Sequence, residues 1–177
     1  MPTCPTRARW IARADVAPKG ATKRVMRRPS RESEGFLFSA TEIDDDTLRA
    51  YRETEYRVCA DSPFTLRIGQ ASLELLEVQR RRRADCSAFV TACNPFSQSL
   101  DAKTNAERQS ALESELASRS LAYLPGVGAH PRGGWQEESF LVFGLSLEAA
   151  RTLGLRHGQN AIVWNGADGV PQLILLR

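Results

Sequence analysis

The chain has 177 residues, 42% hydrophobic and 25% charged, with 12 glycines, 9 prolines and a formal net charge of +3. This length suits one domain with a real core, and no stretch approaches the roughly 18 apolar residues of a membrane-spanning helix. Four cysteines without a CxxC pair complete a composition that excludes membrane, secreted, collagenous and zinc-finger classes.

Charge is spread unevenly. Residues 1–35 hold nine Lys or Arg against three acids, with few large apolar side chains and no sustained period. Such a segment cannot offset the entropy of ordering its backbone, and it is expected to be a flexible basic arm. Its start, MPTCPTRARW, lacks the apolar run of a secretory signal, which points to a cytoplasmic protein with Cys4, Cys59, Cys86 and Cys93 reduced.

The folded domain is expected over about 42–177. Asp44–Asp46 ahead of Leu48 and Tyr51 predict the first helix. YRV (56–58) and FTLRI (64–68) predict two strands joined by a Pro-containing turn. SLELLEVQRRRR (72–83) predicts a helix burying Leu73 and Leu76, and Arg80, Arg81, Arg82 and Arg83 stand at its end. There they suit the helix dipole, or else form a phosphate-binding patch. CSAFVTAC (86–93) predicts a covered strand that stops before Pro95.

KTNAERQSALESELASR (103–119) is the clearest helix, with Leu112 and Leu116 one turn apart on its inward face. GVGAHPRGG (126–134) reads as a flexible loop or lid, and FLVFGL (140–145) as the central strand. Ser146 is placed to cap a helix over about 147–157, which ends at His157–Gly158. NAIVW (160–164) and PQLILL (171–176) predict a closing hairpin around NGADG. The fold class expected is α+β: one mixed, largely antiparallel sheet packed with helices.

The familiar catalytic layouts are missing. The sequence has no GxSxG, GxxxxGK[ST] or GxGxxG motif, and its two histidines, His130 and His157, belong to no ligand array. No metal or dinucleotide cofactor is expected.

Polar residues instead gather at predicted element ends. Thr91, Asn94 and Ser97 sit at and after the carboxyl end of a predicted strand, where side chains line a ligand crevice or hold the turn around Pro95. Asn105 and Arg108 lie in the early turns of the following helix, facing either solvent or that loop. Trp135, Glu137 and Glu138 precede the central strand, and Gln159 and Asn160 open another.

The series TEYRV (54–58), FTLRIG (64–69), FVTACNPFSQ (89–98), Asn105 with Arg108, GVG…GGWQEESFLVFGLS (126–146) and GQNAIVW (158–164) resembles the uncharacterised bacterial family DUF3293 over about residues 51–176. The family's central motif is commonly TAWNP, and Cys93 stands here in place of its tryptophan. The resemblance implies no chemistry. It marks TxxNP, Asn105, WxEE and QNA as characteristic positions, the same ones that the loops select.

Thr91, Asn94, Ser97, Asn105, Glu138, Gln159 and Asn160 are therefore expected to converge on one cleft, with Arg108 and Trp135 beside them. The leading expectation is a binding or regulatory module for a small polar or nucleotide-like ligand. A second is an enzyme with Glu138 as the candidate catalytic acid or base and Asn94 or Asn105 stabilising charge. A third is nucleic-acid association through the N-terminal arm and Arg80–Arg83.

Overall fold

Each helix begins where a short polar side chain replaces a missing backbone acceptor. Asp44, Ser72, Asp101 and Ser146 each accept a hydrogen bond from the backbone N–H three residues on. They open α1 (Asp45–Glu53), α2 (Leu73–Arg81), α3 (Ala102–Ser118) and α4 (Leu147–Arg156). The computed structural model describes residues 43–177, so the arm expected at 1–35 lies outside the described residues.

The last three helices share one ending. Arg83 (φ 54°), Ser120 (φ 54°) and Gly158 (φ 72°) turn left-handed after α2, α3 and α4. The following N–H groups of Ala84, Leu121 and Gln159 return to the carbonyls of Gln79, Leu116 and Gly154 at 3.0, 3.0 and 2.9 Å. This is the Schellman closure, which satisfies carbonyls that the helix leaves open.

Seven strands form one sheet: β1 (Glu55–Val58), β2 (Phe64–Leu66), β3 (Ser87–Val90), β4 (Tyr123–Ala129), β5 (Gln136–Phe143), β6 (Ala161–Asn165) and β7 (Pro171–Leu175). Their order is β2-β1-β4-β5-β3-β6-β7, and every pairing is antiparallel. The expected α+β class holds, β5 is the central strand, and both expected hairpins form.

One expectation is corrected here. The stretch from Gly126 to Ala129, read as loop or lid, belongs to β4 and pairs on both sides, so only His130–Trp135 remains as a hairpin turn. The glycine has a packing reason: a Cβ on Gly126 would lie 2.6 Å from Phe89 Cε2 and 2.9 Å from the Arg57 carbonyl oxygen. The ring of Phe89 lies against bare backbone and meets Tyr56 edge-on at 5.4 Å.

The sheet buries both faces. Ala88, Val90, Ala92, Phe140 and Val142 pack with Leu112 and Leu116 of α3 and with Ala150 and Leu153 of α4. The alternate residues Phe89, Leu141 and Phe143 pack with Tyr56, Val58, Phe64, Leu66 and Leu75 of α2. Each fully buried leucine contributes about 1.5–3 kcal/mol. On α2 the expectation for Leu73 is corrected: it is 79% exposed, while Leu75 and Gln79 face inward. The helix begins at Leu73, before its buried stripe is established.

Cys86 and Cys93 are free thiols. Cys59 is disulfide-bonded, which corrects the expectation of a reduced thiol there; Cys4 lies outside the described residues. No described helix is long and apolar enough to cross a membrane.

Candidate functional site

β3 leaves its ladder at Val90, and the next four residues must find other partners for their backbone groups. Side chains supply them. Gln109 Oε1 accepts from Ala92 N at 3.0 Å, Thr91 Oγ1 from Cys93 N at 3.0 Å, and Asn105 Oδ1 from Asn94 N at 2.9 Å. Arg108 Nε donates to Ala92 O at 2.7 Å, and Gln159 Nε2 donates to Cys93 O at 3.0 Å. Arg108 also reaches His157 O at 2.8 Å, which ties α3 to the end of α4. Thr91, Asn105, Arg108 and Gln159 thus come together as expected, with their polar groups engaged in holding this turn.

The turn itself is unusual. Asn94, Phe96 and Ser97 have φ of 45°, 56° and 57°, a left-handed conformation that is uncommon for a bulky residue such as Phe. Asn94 Oδ1 accepts from Leu100 N and from Asn105 Nδ2, both at 2.9 Å, and closes the loop on itself. Ser97 Oγ bonds Tyr51 Oη of α1 at 2.8 Å and accepts from Asn160 Nδ2 at 2.9 Å. Phe96 N donates to Gly158 O at 2.7 Å, and the Arg177 guanidinium lies 4.3 Å from the center of the half-exposed Phe96 ring. Such conformations cost about 1–3 kcal/mol each and persist where the surroundings over-determine them.

Asn94 has one further bond, and it selects a carboxylate. Its Nδ2 donates to Glu137 Oε1 at 2.6 Å. Burial pushes the Glu137 carboxyl above its ordinary range, and the Asn94 bond only partly offsets this. Glu137 lies opposite Gly128 of β4, which lies opposite Tyr56 of β1. A Cβ at Gly128 would meet only Thr54 Cγ2, at 3.7 Å, so the row between Tyr56 and Glu137 carries little side-chain bulk. Burial also raises the Tyr56 hydroxyl, and it pushes the Cys93 thiol up to about 12, too high for a thiolate nucleophile at neutral pH.

Glu138 does not join Asn94. Successive strand residues point to opposite faces, and Glu138 shares the α3 face with Phe140 and Val142. Only its backbone carbonyl reaches the turn, accepting from Thr91 Oγ1 at 2.6 Å. Burial and the neighbouring Glu113 carboxylate raise its carboxyl. Thr91, Asn94, Ser97, Asn105, Gln159 and Asn160 are thus joined by the hydrogen bonds of one turn, whereas the Glu138 side chain is not among them and Glu137 bonds Asn94 instead. Trp135 closes the β4–β5 turn, its carbonyl accepting from His130 N at 3.2 Å.

Tyr51 and Gln109 are absent from the site residues expected from sequence. In the sequence Tyr51 is only part of the apolar pair with Leu48, and Gln109, beside Arg108, faces either solvent or the turn; the structure brings both to the turn. Arg80 and Arg81 pair with Glu77 at 3.9 and 2.7 Å, Arg82 lies over Phe143 at 5.8 Å, and Arg83 closes α2. Among the described residues no His, Cys, Asp and Glu group is placed to hold a metal ion.

No curated protein and no solved structure shows a significant match to the chain. A protein-family model does match, over a segment narrower than the expected 51–176, leaving TEYRV and FTLRIG outside. It includes all nine side chains proposed from sequence, from Thr91 to Asn160. Residues 90–162, a little under half of the chain, match the family described as Protein of unknown function (DUF3293), and this segment is what the chain shares with that family.

Proposed function

We propose that this domain binds a small polar ligand at the Asn94 turn and that Glu137 is its principal recognition group. The observation carrying this reading is the Glu137 carboxylate itself. It is partly buried, takes one hydrogen bond among the described residues, and stands on a central strand beside the glycine row. A carboxylate with spare acceptor capacity favours a ligand rich in N–H groups, such as a nucleobase edge or an amidine. Asn94 fixes its rotamer, and the loop that positions Asn94 is braced from α1, from α3 and from Asn160 just ahead of β6.

An acid–base enzyme is the second reading, and the raised Glu137 carboxyl favours it. In that case Glu137, rather than Glu138, moves the proton, with Asn94 as its positioning partner.

Mass spectrometry of natively purified protein, followed by thermal-shift screening with nucleosides and amidines, tests the binding reading. The expected result is a small molecule that co-purifies or stabilises the wild type and is lost from Glu137→Gln and Asn94→Ala. Absence of every small-molecule partner together with a stable protein complex overturns it. Turnover of a bound compound, lost in Glu137→Gln, selects the enzyme reading.

A further inference from the structure

The two edges of the sheet are not alike. β2 is three residues long and runs into Arg67, which bonds Glu55. β7 is five residues long, and between Asp168 and Arg177 the chain carries no charge, GVPQLILL. Its proline stands at the first position, which leaves the rest of the edge able to pair. Edge strands of monomers are commonly guarded by a charge, a bulge or a covering element, and among the described residues β7 has none past Pro171.

One bond fixes the direction of its backbone groups. Leu176 N donates to Asn160 O at 2.9 Å, so the antiparallel ladder turns Gln172, Ile174 and Leu176 toward β6, and Leu173 and Leu175 outward. Pro171 shares the outward phase: its carbonyl accepts from Gly69 N at 2.8 Å, where the chain after β2 touches β7. The N–H and C=O groups of Leu173 and Leu175 meet no partner among the described residues. Their side chains, opposite Val163 and Ala161, are half-buried and join neither core, whereas Ile174 and Leu176 pack on the α3–α4 side.

We infer that β7 pairs antiparallel with β7 of a second copy of this chain. Gly69 closes the edge at Pro171, so the open window runs from Gln172 to Leu176 and is centred on Ile174. A two-fold axis through Ile174 sets Leu173 opposite Leu175 of the second copy, and the reverse, for four backbone hydrogen bonds. The exposed flanks of these leucines then lie together on one face. The flanking charges select this occupant and this direction. Asp168 and Arg177 are opposite in sign, so an antiparallel copy carries each Arg177 toward the end that bears the other Asp168, while a parallel one sets like charges side by side. Two seven-stranded sheets run on as one. The pairing does not depend on the ligand proposed at Asn94 and Glu137.

Sedimentation of the full chain across the micromolar range tests the pairing, and a dimer that dissociates on dilution is expected. Leu175→Lys, which guards the edge, should raise the dissociation constant at least about tenfold while keeping a cooperative unfolding transition. Thr65→Lys on β2 should leave it unchanged. Oxidation reads the register. Ile174→Cys faces its own copy as a non-hydrogen-bonded pair, about 4.5 Å between Cα atoms, and should form a disulfide-linked dimer. Gln172→Cys, roughly 14 Å from its copy, should not. The cross-link decides between the outcomes if Leu175→Lys does not fold. A chain monomeric throughout, a dimer indifferent to Leu175→Lys, failure of Ile174→Cys to link faster than Gln172→Cys, or a complex with a different protein alone overturns the proposal.

Discussion

Asn94 and Glu137 show how one hydrogen bond reassigns a role between adjacent residues. Glu137 and Glu138 are indistinguishable in sequence because the strand behind them, Phe140–Phe143, is buried on both faces and gives no alternation to set the parity. The position of a carboxylate here was legible; its direction was not. The raised Glu137 carboxyl has a pH consequence. Its native pKa lies above the ordinary 4.5, so the folded state holds the proton more tightly than the unfolded chain. That contribution is full below pH 4.5 and is lost as pH rises through the native value. Glu137→Gln should therefore flatten the fall in stability above this point, as read from urea midpoints across about pH 4–8.

Close approach governs two glycines in the same region. Gly158→Ala would place a Cβ 2.9 Å from Pro95 Cβ and 3.2 Å from Phe96 Cζ at a φ of 72°. The left-handed penalty and the overpacking together predict a loss of about 2–4 kcal/mol by denaturant unfolding. Gly126→Ala, pressed against Phe89, should cost about 1–3 kcal/mol in the same assay.

At the level of elements, three helices close by the same motif with different residues. Gly158 suits its left-handed position, while Arg83 and Ser120 occupy the equivalent positions with a Cβ. Ser120→Gly should raise stability by about 0.5–1 kcal/mol, because relief of the left-handed penalty exceeds the added unfolded-state entropy. A midpoint shift to lower denaturant would contradict this. The helices themselves were legible because caps and apolar spacing are local signals, as Ser146 and the Leu112–Leu116 pair show. β4 was not: Pro125, Gly126 and Gly128 carry loop signals, and the ring of Phe89 that requires Gly126 comes from a strand far away in sequence.

For the whole molecule, pattern alone yielded the α+β class, the central strand and the final hairpin, but not the placing of β3. That strand runs between β5 and β6, and its partners are set by the packing of α3 and α4 over one face rather than by adjacent turns. Gln109 and Arg108 likewise acquire their roles only when α3 is laid across the end of β3.

The position of β3 also dictates an order of events during synthesis. Ser87–Val90 emerges early, yet it pairs with Phe140–Phe143 on one side and Val163–Asn165 on the other, so both neighbours are still to be made. β1 waits in the same way for Gly126–Ala129. The nascent N-terminal half must hold apolar strands without their partners until β6 leaves the ribosome, a period in which it is exposed to aggregation. Chains ending before Ala161 should give no cooperative unfolding transition, and refolding of the full chain should be slow for its size. A truncated chain that unfolds cooperatively would show that β3 needs only one of its neighbours.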